Sequence, residues 1–120
     1  MTKEALKKLI QTASGQIPAE TVIKNCKVFN VFTGHFTEGD IALCGDQIAG
    51  VGSYSGETEV DAGGRYAVPG FIDSHIHIES SYLCPEELGR LLVPHGGTTI
   101  IADPHEIVNV CGIKGLDYMM

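Results

Sequence analysis

The spacing of hydrophobic and polar positions changes twice along the chain. Residues 2–13 place apolar side chains at helical intervals, with Thr2 as a cap and Gly15 as a stop. From residue 21 the pattern becomes short β-like runs, at 21–23, 27–32, 40–44 and 47–51. Gly45-Asp46 predicts a tight hairpin between two of these runs, and 33–34 with 38–39 predict a looser connection. We expect a leading helix within residues 1–20 and a small antiparallel, sandwich-like β domain over residues 21–68.

A different pattern begins at residue 69. Residues 68–78 alternate polar and apolar side chains as a strand does, and a helical pattern follows, with Pro85 at its start. Residues 98–102 form a second, β-branched run. Strand, helix and strand predict a parallel βαβ unit over residues 69–120, the start of a TIM-type (β/α)8 barrel. The expected fold class is therefore α/β, and the barrel is truncated, because a complete one needs about 250 residues.

Polar side chains that could bind a metal follow both predicted strands of this βαβ unit. Alternation in the first strand places four of them on one face, and a second group follows the next strand: Asp73, His75, His77 and Glu79, then Asp103, His105 and Glu106. Carboxyl ends of neighbouring parallel strands meet at one edge, and imidazoles with carboxylates there suit a hydrolytic metal site. Taken alone, residues 103–106 favour a polar turn that caps a helix. Beside His75 and His77, they favour the metal site.

Other polar residues are less convincing as members of this site. His95 is expected in a loop at the opposite end of the second strand, and His35 on the surface of the β domain. Asp73 lies one step deeper, where supporting the strand or orienting a ligand histidine suits it better than coordination. Serines follow the first strand without the nucleophile-elbow motif of serine hydrolases.

Composition narrows the classes of partner. The net charge is -7, and no basic run with aromatic residues is present, so nucleic acid is not an expected partner. Four widely spaced cysteines without a C-x-x-C pair indicate reduced thiols in a cytoplasmic protein. No apolar run approaches the ~18 residues that span a membrane.

These motifs together resemble a known family. Residues 61–65 followed by Pro-Gly-Phe-Ile-Asp-Ser-His-Ile-His at 69–77 resemble the amidohydrolase superfamily, and residues 77–81, 94–99 and 102–107 resemble its adenine deaminases. The resemblance implies a metal-bearing (β/α)8 barrel that hydrolyses adenine to hypoxanthine and ammonia, with manganese expected and iron or zinc as alternatives. It implies that His75 and His77 are first-strand metal ligands, and that Asp103, His105 and Glu106 form the second-strand motif.

The roles within that motif stay open at this point. We expect His75, His77, His105 and Glu79 as metal ligands, and Asp103 and Glu106 as catalytic groups. Family members carry further ligands on later strands, so this chain is expected to be inactive alone, as the front piece of a larger enzyme. Its open sheet edges predict association between copies. The alternatives are another amidohydrolase, dihydroorotase-like or an amino-sugar deacetylase, or a non-catalytic metal-binding or assembly module.

Overall fold

The computed structural model describes residues 1–120, which divide into two compact units, Met1–Pro69 and Gly70–Met120. The first contains one helix and five strands: α1 (Lys3–Ala13), β1 (Ala19–Asn30), β2 (His35–Cys44), β3 (Gln47–Gly52), β4 (Gly56–Asp61) and β5 (Tyr66–Ala67).

The helix α1 begins and ends where its sequence indicates. The Thr2 hydroxyl accepts a hydrogen bond from the Ala5 N–H at 3.2 Å, which satisfies one of the free amides of the first turn. Gly15 follows the helix with φ +71°, a conformation that favours glycine. Lys8 on α1 pairs with Glu20 on β1, and the other carboxylate oxygen of Glu20 accepts from the Gly45 N–H at 2.8 Å. Glu20 therefore links the helix, the first strand and the β2–β3 turn.

The long strand β1 organises the sheet of the first unit. It pairs antiparallel with β2, and β2 pairs antiparallel with β3 through the two-residue turn at Gly45-Asp46, which confirms the predicted hairpin. On its other side, β1 pairs with β4 and then with β5, both in parallel. The prediction of a purely antiparallel unit is wrong for these two strands. The predicted loop at 38–39 is also wrong, because these residues continue β2.

A bulge in β1 explains how one strand has two successive parallel neighbours. Asn25 adopts φ +57°, and the register with β2 shifts between Ile23 and Cys26. The side-chain amide of Asn25 donates a hydrogen bond to the Asp61 carboxylate at 2.9 Å, at the point where β4 ends. The residues before the bulge therefore pair with β4, and those after it pair with β5.

The core of the first unit lies against this sheet. Val22 is fully buried, with Ala19 and Ala42 beside it, and Ala49 and Tyr54 pack against them. The unit contains one sheet, so the sandwich-like arrangement stays a prediction.

The second unit contains the predicted βαβ sequence of elements. Its elements are β6 (Phe71–Ile76), a 3-10 turn (Glu79–Ser81), α2 (Pro85–Leu92), a 3-10 turn (Val93–His95), β7 (Gly97–Ala102), α3 (His105–Cys111) and α4 (Ile113–Met119). The strands β6 and β7 pair in parallel, which confirms that prediction. The mixed α/β fold class is likewise confirmed, whereas the truncated (β/α)8 barrel stays a prediction.

The strand β6 is shorter than its alternating sequence predicts. It ends at Ile76, and Ile78 adopts helical backbone angles, φ −60° and ψ −40°. Glu79 consequently begins a 3-10 turn instead of continuing the polar face of the strand. The prediction that Glu79 shares the strand alternation of His75 and His77 is therefore wrong.

Much of the apolar surface of the second unit is exposed. Leu88 and Ile78 are buried, whereas several apolar side chains of the two strands are exposed, Ile72 by 65 % and Ile101 by 57 %. Two strands and their helices are too few to cover both faces of a parallel sheet. None of the helices combines the length and the apolar character that crossing a membrane requires.

Candidate metal centre

The carboxyl ends of β6 and β7 lie side by side. Ile76 and Ala102 are register partners at the end of the two strands, and the Asp103 N–H donates to the Ile76 carbonyl at 2.9 Å. The residues that leave the sheet here are His77 after β6 and Asp103 after β7. Strand pairing therefore brings together two segments that are 26 residues apart in sequence.

Three potential metal ligands converge at this edge. One ligand atom each from His75, His77 and Asp103 lies within 4.8 Å of the other two. Two atoms bound to one zinc-like metal at about 2.0–2.2 Å lie at most about 4.4 Å apart. Small side-chain rotations would thus suffice for a shared metal, and two imidazoles with a carboxylate are a donor set that suits zinc, iron or manganese. These residues fit a divalent metal.

A backbone hydrogen bond sets the orientation of His77. Its Nδ1 lies 2.8 Å from the carbonyl oxygen of Asp103, and a carbonyl can only accept, so Nδ1 carries the proton. The lone pair of the neutral ring is then on Nε2, the atom free to bind a metal. A histidine held in this way through its other nitrogen is the usual arrangement at metal sites.

His105 stands next to this group without completing it. Its ring centroid lies 4.8 Å from that of His77, and its Nδ1 lies 3.3 Å from a carboxylate oxygen of Asp103. The side chains of His105 and Asp103 are 54 % and 48 % exposed. His105 therefore contacts a member of the ligand group and is open to solvent.

The Glu79 carboxylate lies outside the group of convergent ligand atoms. Its Oε1 accepts a hydrogen bond from the Ile107 N–H at 3.1 Å, in the first turn of α3. Oε2 is shielded from solvent and accepts no hydrogen bond from the protein. The Glu79 N–H, together with the Ile107 N–H, lowers the pKa of this carboxyl from its usual value, so the group is an anion at neutral pH.

Glu106, the other predicted catalytic residue, is exposed at the start of α3. The hydroxyl of Ser80 donates to its carboxylate at 3.4 Å, a long and weak contact.

Three further polar residues, Asp73, His95 and His35, are not among the convergent ligands. The Asp73 carboxylate accepts from the His75 N–H at 3.1 Å and so supports the irregular end of β6. His95 lies in the 3-10 turn before β7, at the other end of that strand from Asp103. His35 begins β2 in the first unit.

Two features of the site have no signal in the side-chain pattern. The Asp103 carbonyl orients His77, and the Ile107 N–H engages Glu79, so both partners are backbone groups. Sequence also assigned the Asp103 carboxylate a catalytic role, whereas the structure places it among the three convergent ligand atoms. The parallel pairing of β6 with β7 places the Asp103 carboxylate beside the two histidines.

Comparisons with known proteins show which sequences this chain resembles. Residues 66–120 match the family model described as "Amidohydrolase family". Over its whole length the chain is 68% identical to "Adenine deaminase 2" of Desulfotalea psychrophila and 54% identical to "Adenine deaminase" of Ligilactobacillus salivarius. The predicted resemblance to the amidohydrolases is confirmed. In both relatives the matched segment is 21% of the protein, so the chain spans about a fifth of the length of these adenine deaminases.

A solved structure shares part of the chain. The L-hydantoinase (dihydropyrimidinase) from Arthrobacter aurescens aligns with 50% of this chain and 14% of its own, at 28% identity and a TM-score of 0.44. This overlap is too limited to extend the description of the fold. The amidohydrolase match itself supports a divalent metal.

Proposed function

We propose that this chain provides the first part of an adenine deaminase, a metal-dependent enzyme that hydrolyses adenine to hypoxanthine and ammonia. The single observation that carries the proposal is the 68% identity to an adenine deaminase over all 120 residues. The convergence of two histidines and a carboxylate at the carboxyl ends of β6 and β7 supports it independently. The substrate of the whole enzyme would be a purine base.

The proposed metal ligands on this chain are His75 and His77, with Asp103 as the nearest carboxylate and His105 as a neighbour able to join them. A divalent metal held there, manganese in our proposal, would supply activated water for hydrolysis. His77 would bind through Nε2, because its Nδ1 donates to the Asp103 carbonyl. In this proposal the ligand set is completed by residues that this chain does not supply.

Proton transfer is the proposed role of the exposed carboxylates. Hydrolysis of an amine requires a proton to reach the leaving ammonia, and a carboxylate beside the metal is suited to carry it. Glu106 is open to solvent and weakly held by Ser80, so it can exchange protons and reorient. Asp103 is fixed closer to the histidines and would share this role or bind metal.

We also propose where the enzyme is located and what covers its exposed strands. All four cysteines are free thiols, which suits the reducing cytoplasm. Exposed strand side chains such as Ile72 and Ile101 would be covered by further barrel elements or by association of copies. A barrel completed around β6 and β7 is our proposal for the whole enzyme.

The names of the relatives favour one substrate among those that amidohydrolases act on. Eight curated relatives, at 47% to 68% identity, are all named adenine deaminases. This agreement favours adenine over the substrates of dihydroorotase-like enzymes or amino-sugar deacetylases.

An exchange of segments tests the proposal. The corresponding 120 residues of the Desulfotalea psychrophila adenine deaminase 2 would be replaced by this chain, and hypoxanthine and ammonia formed from adenine would be measured with added Mn²⁺. We expect activity within about tenfold of the unexchanged enzyme, which is about 1.4 kcal/mol in the barrier. The unexchanged enzyme is the positive control.

A substrate panel completes this test. The exchanged enzyme would also be given dihydroorotate and an N-acetylated amino sugar. A folded, metal-loaded protein that hydrolyses one of these and leaves adenine unchanged would contradict the proposal.

A further inference from the structure

Two side chains from the segment around the end of β6 hold the turn between β7 and α3. The Ile107 N–H is the third amide of α3, so it is one of the first-turn donors that have no partner within the helix. It donates to Glu79, and the Asp103 carbonyl just before the helix accepts from the His77 ring. His77 and Glu79 thus engage the two ends of this turn.

The first turn of α3 has no other cap. Its N-cap residue is Pro104, which provides no side-chain acceptor, and no residue of the turn itself accepts from the Ile107 N–H. A side-chain oxygen on the third amide of a helix is the usual capping contact. Glu79, 28 residues earlier in the sequence, supplies it.

We propose that Glu79 is a positioning residue, which clamps the Asp103–Ile107 turn against the end of β6 and thereby holds Asp103 and His105 beside His77. The proposal rests on the metal centre proposed above and changes the role of one residue in it. Sequence placed Glu79 among the metal ligands. The structure favours the other role because Glu79 leaves the strand and its ligand atoms lie outside the convergent group.

Two substitutions separate positioning from coordination. Glu79→Ala removes the acceptor for the Ile107 N–H, whereas Glu79→Gln keeps a carbonyl oxygen that can accept it but removes the anionic ligand. Glu87→Ala is the matched control, since Glu87 is an exposed glutamate of α2 that pairs only with Arg90. All variants would be made in the full chain.

The first readouts do not depend on metal. Hydrogen exchange at the Ile107 amide and the nuclear Overhauser contact between the His77 and His105 rings report the clamp directly. In Glu79→Ala we expect exchange at Ile107 to accelerate about tenfold or more and the ring contact to weaken. Glu79→Gln and Glu87→Ala should resemble the unsubstituted chain. Unchanged Ile107 exchange and ring contact in Glu79→Ala would overturn the proposal.

Manganese titration then distinguishes the two roles. A positioning role predicts that Glu79→Ala weakens Mn²⁺ binding about 10–100-fold, as loss of a supporting contact does, and that Glu79→Gln restores most of it. If Glu79→Gln protects Ile107 yet binds Mn²⁺ as weakly as Glu79→Ala, Glu79 is a ligand and the proposal is wrong. If no variant binds Mn²⁺, nor the unsubstituted chain, the proposed metal centre fails, while Ile107 exchange and the ring contact still decide the role of Glu79.

Discussion

The two units differ in what they do with their polar groups. In the first unit, the partly buried Asp40 carboxylate accepts three hydrogen bonds, from the Lys24 ammonium and from the N–H groups of Asn25 and Tyr54. In the second unit, His75 and Asp103 are open at the strand ends, and the apolar strand faces are exposed as well. The Asp40 carboxylate is satisfied by donors of the protein itself, whereas His75 and Asp103 lie open where we propose that the metal binds. Partners within the protein thus distinguish the structural role of Asp40 from the proposed role of Asp103.

Removing the two histidines would break this comparison most strongly. We predict that His75→Ala combined with His77→Ala abolishes stoichiometric Mn²⁺ binding, because it removes two of the three convergent ligands. Metal content would be measured after gel filtration of the full chain. His35→Ala combined with His95→Ala is the matched control and should leave metal content unchanged. Equal metal in both double variants would place the ligands elsewhere.

A core substitution measures how much the buried sheet position of the first unit contributes to stability. Val22 is fully buried, so Val22→Ala should lower the free energy of unfolding by about 2 kcal/mol, from lost burial and a residual cavity. The same substitution at Val110, which is 84% exposed on α3, should change it by less than about 0.5 kcal/mol. Urea unfolding followed by circular dichroism gives both values. Equal losses would contradict the burial of Val22 in the core.

The Asp40 network predicts a dependence of stability on pH. The Lys24 ammonium, with the two N–H donors, holds the pKa of Asp40 below its usual value of 3.8. The native state therefore binds a proton less readily than the unfolded state, so this contribution is complete well above pH 3.8 and disappears as pH falls through the lowered native pKa.

Replacing Asp40 tests this sign. Asp40→Asn should cost about 1–3 kcal/mol at pH 7, and the difference from the unsubstituted chain should shrink below pH 4. Asp46→Asn, in the exposed β2–β3 turn, is the control and should have little effect at either pH. Urea unfolding at pH 7 and pH 3 provides the comparison. A difference that grows in acid would contradict the assigned direction.

Alanine substitutions at two glycines should change stability by the smallest amounts and with opposite signs. A Cβ at Gly89 of α2 meets no atom within 4 Å, so Gly89→Ala should stabilise the second unit by about 0.5–1 kcal/mol through helix propensity. A Cβ at Gly56 would lie 2.7 Å from a methyl group of the buried Val22, so Gly56→Ala should destabilise the first unit. Thermal unfolding of both variants checks the opposite signs. Two changes of the same sign would contradict them.

Local sequence signals predicted most of the elements. The Thr2 cap, the Gly45-Asp46 turn and Pro85 at the start of α2 each act through neighbouring residues, so the sequence contains their cause. The parallel pairing of β4 and β5 with β1 could not be predicted, because it follows from a bulge at Asn25 and a contact with Asp61. Pairing between segments that are distant in sequence leaves no periodic pattern of residues from which it could be predicted.

The sequence predicted part of the candidate site as well. The alternating sequence indicated that His75 and His77 share a face, and their rings lie 4.8 Å apart. The same alternation failed at Glu79, because the strand ends at Ile76 and the chain turns. The contacts that orient His77 and engage Glu79 involve backbone atoms of Asp103 and Ile107, which no side-chain pattern reveals.

Paramagnetic broadening tests most directly our proposal that a divalent metal binds where β6 and β7 end. Mn²⁺ is paramagnetic and broadens the resonances of nearby nuclei, so the ring protons of the five histidines can report its position in the full chain. We predict that substoichiometric Mn²⁺ broadens His75 and His77 first, then His105, and leaves His35 and His95 sharp. Broadening that begins at His35 or His95, or that affects all five equally, would contradict it.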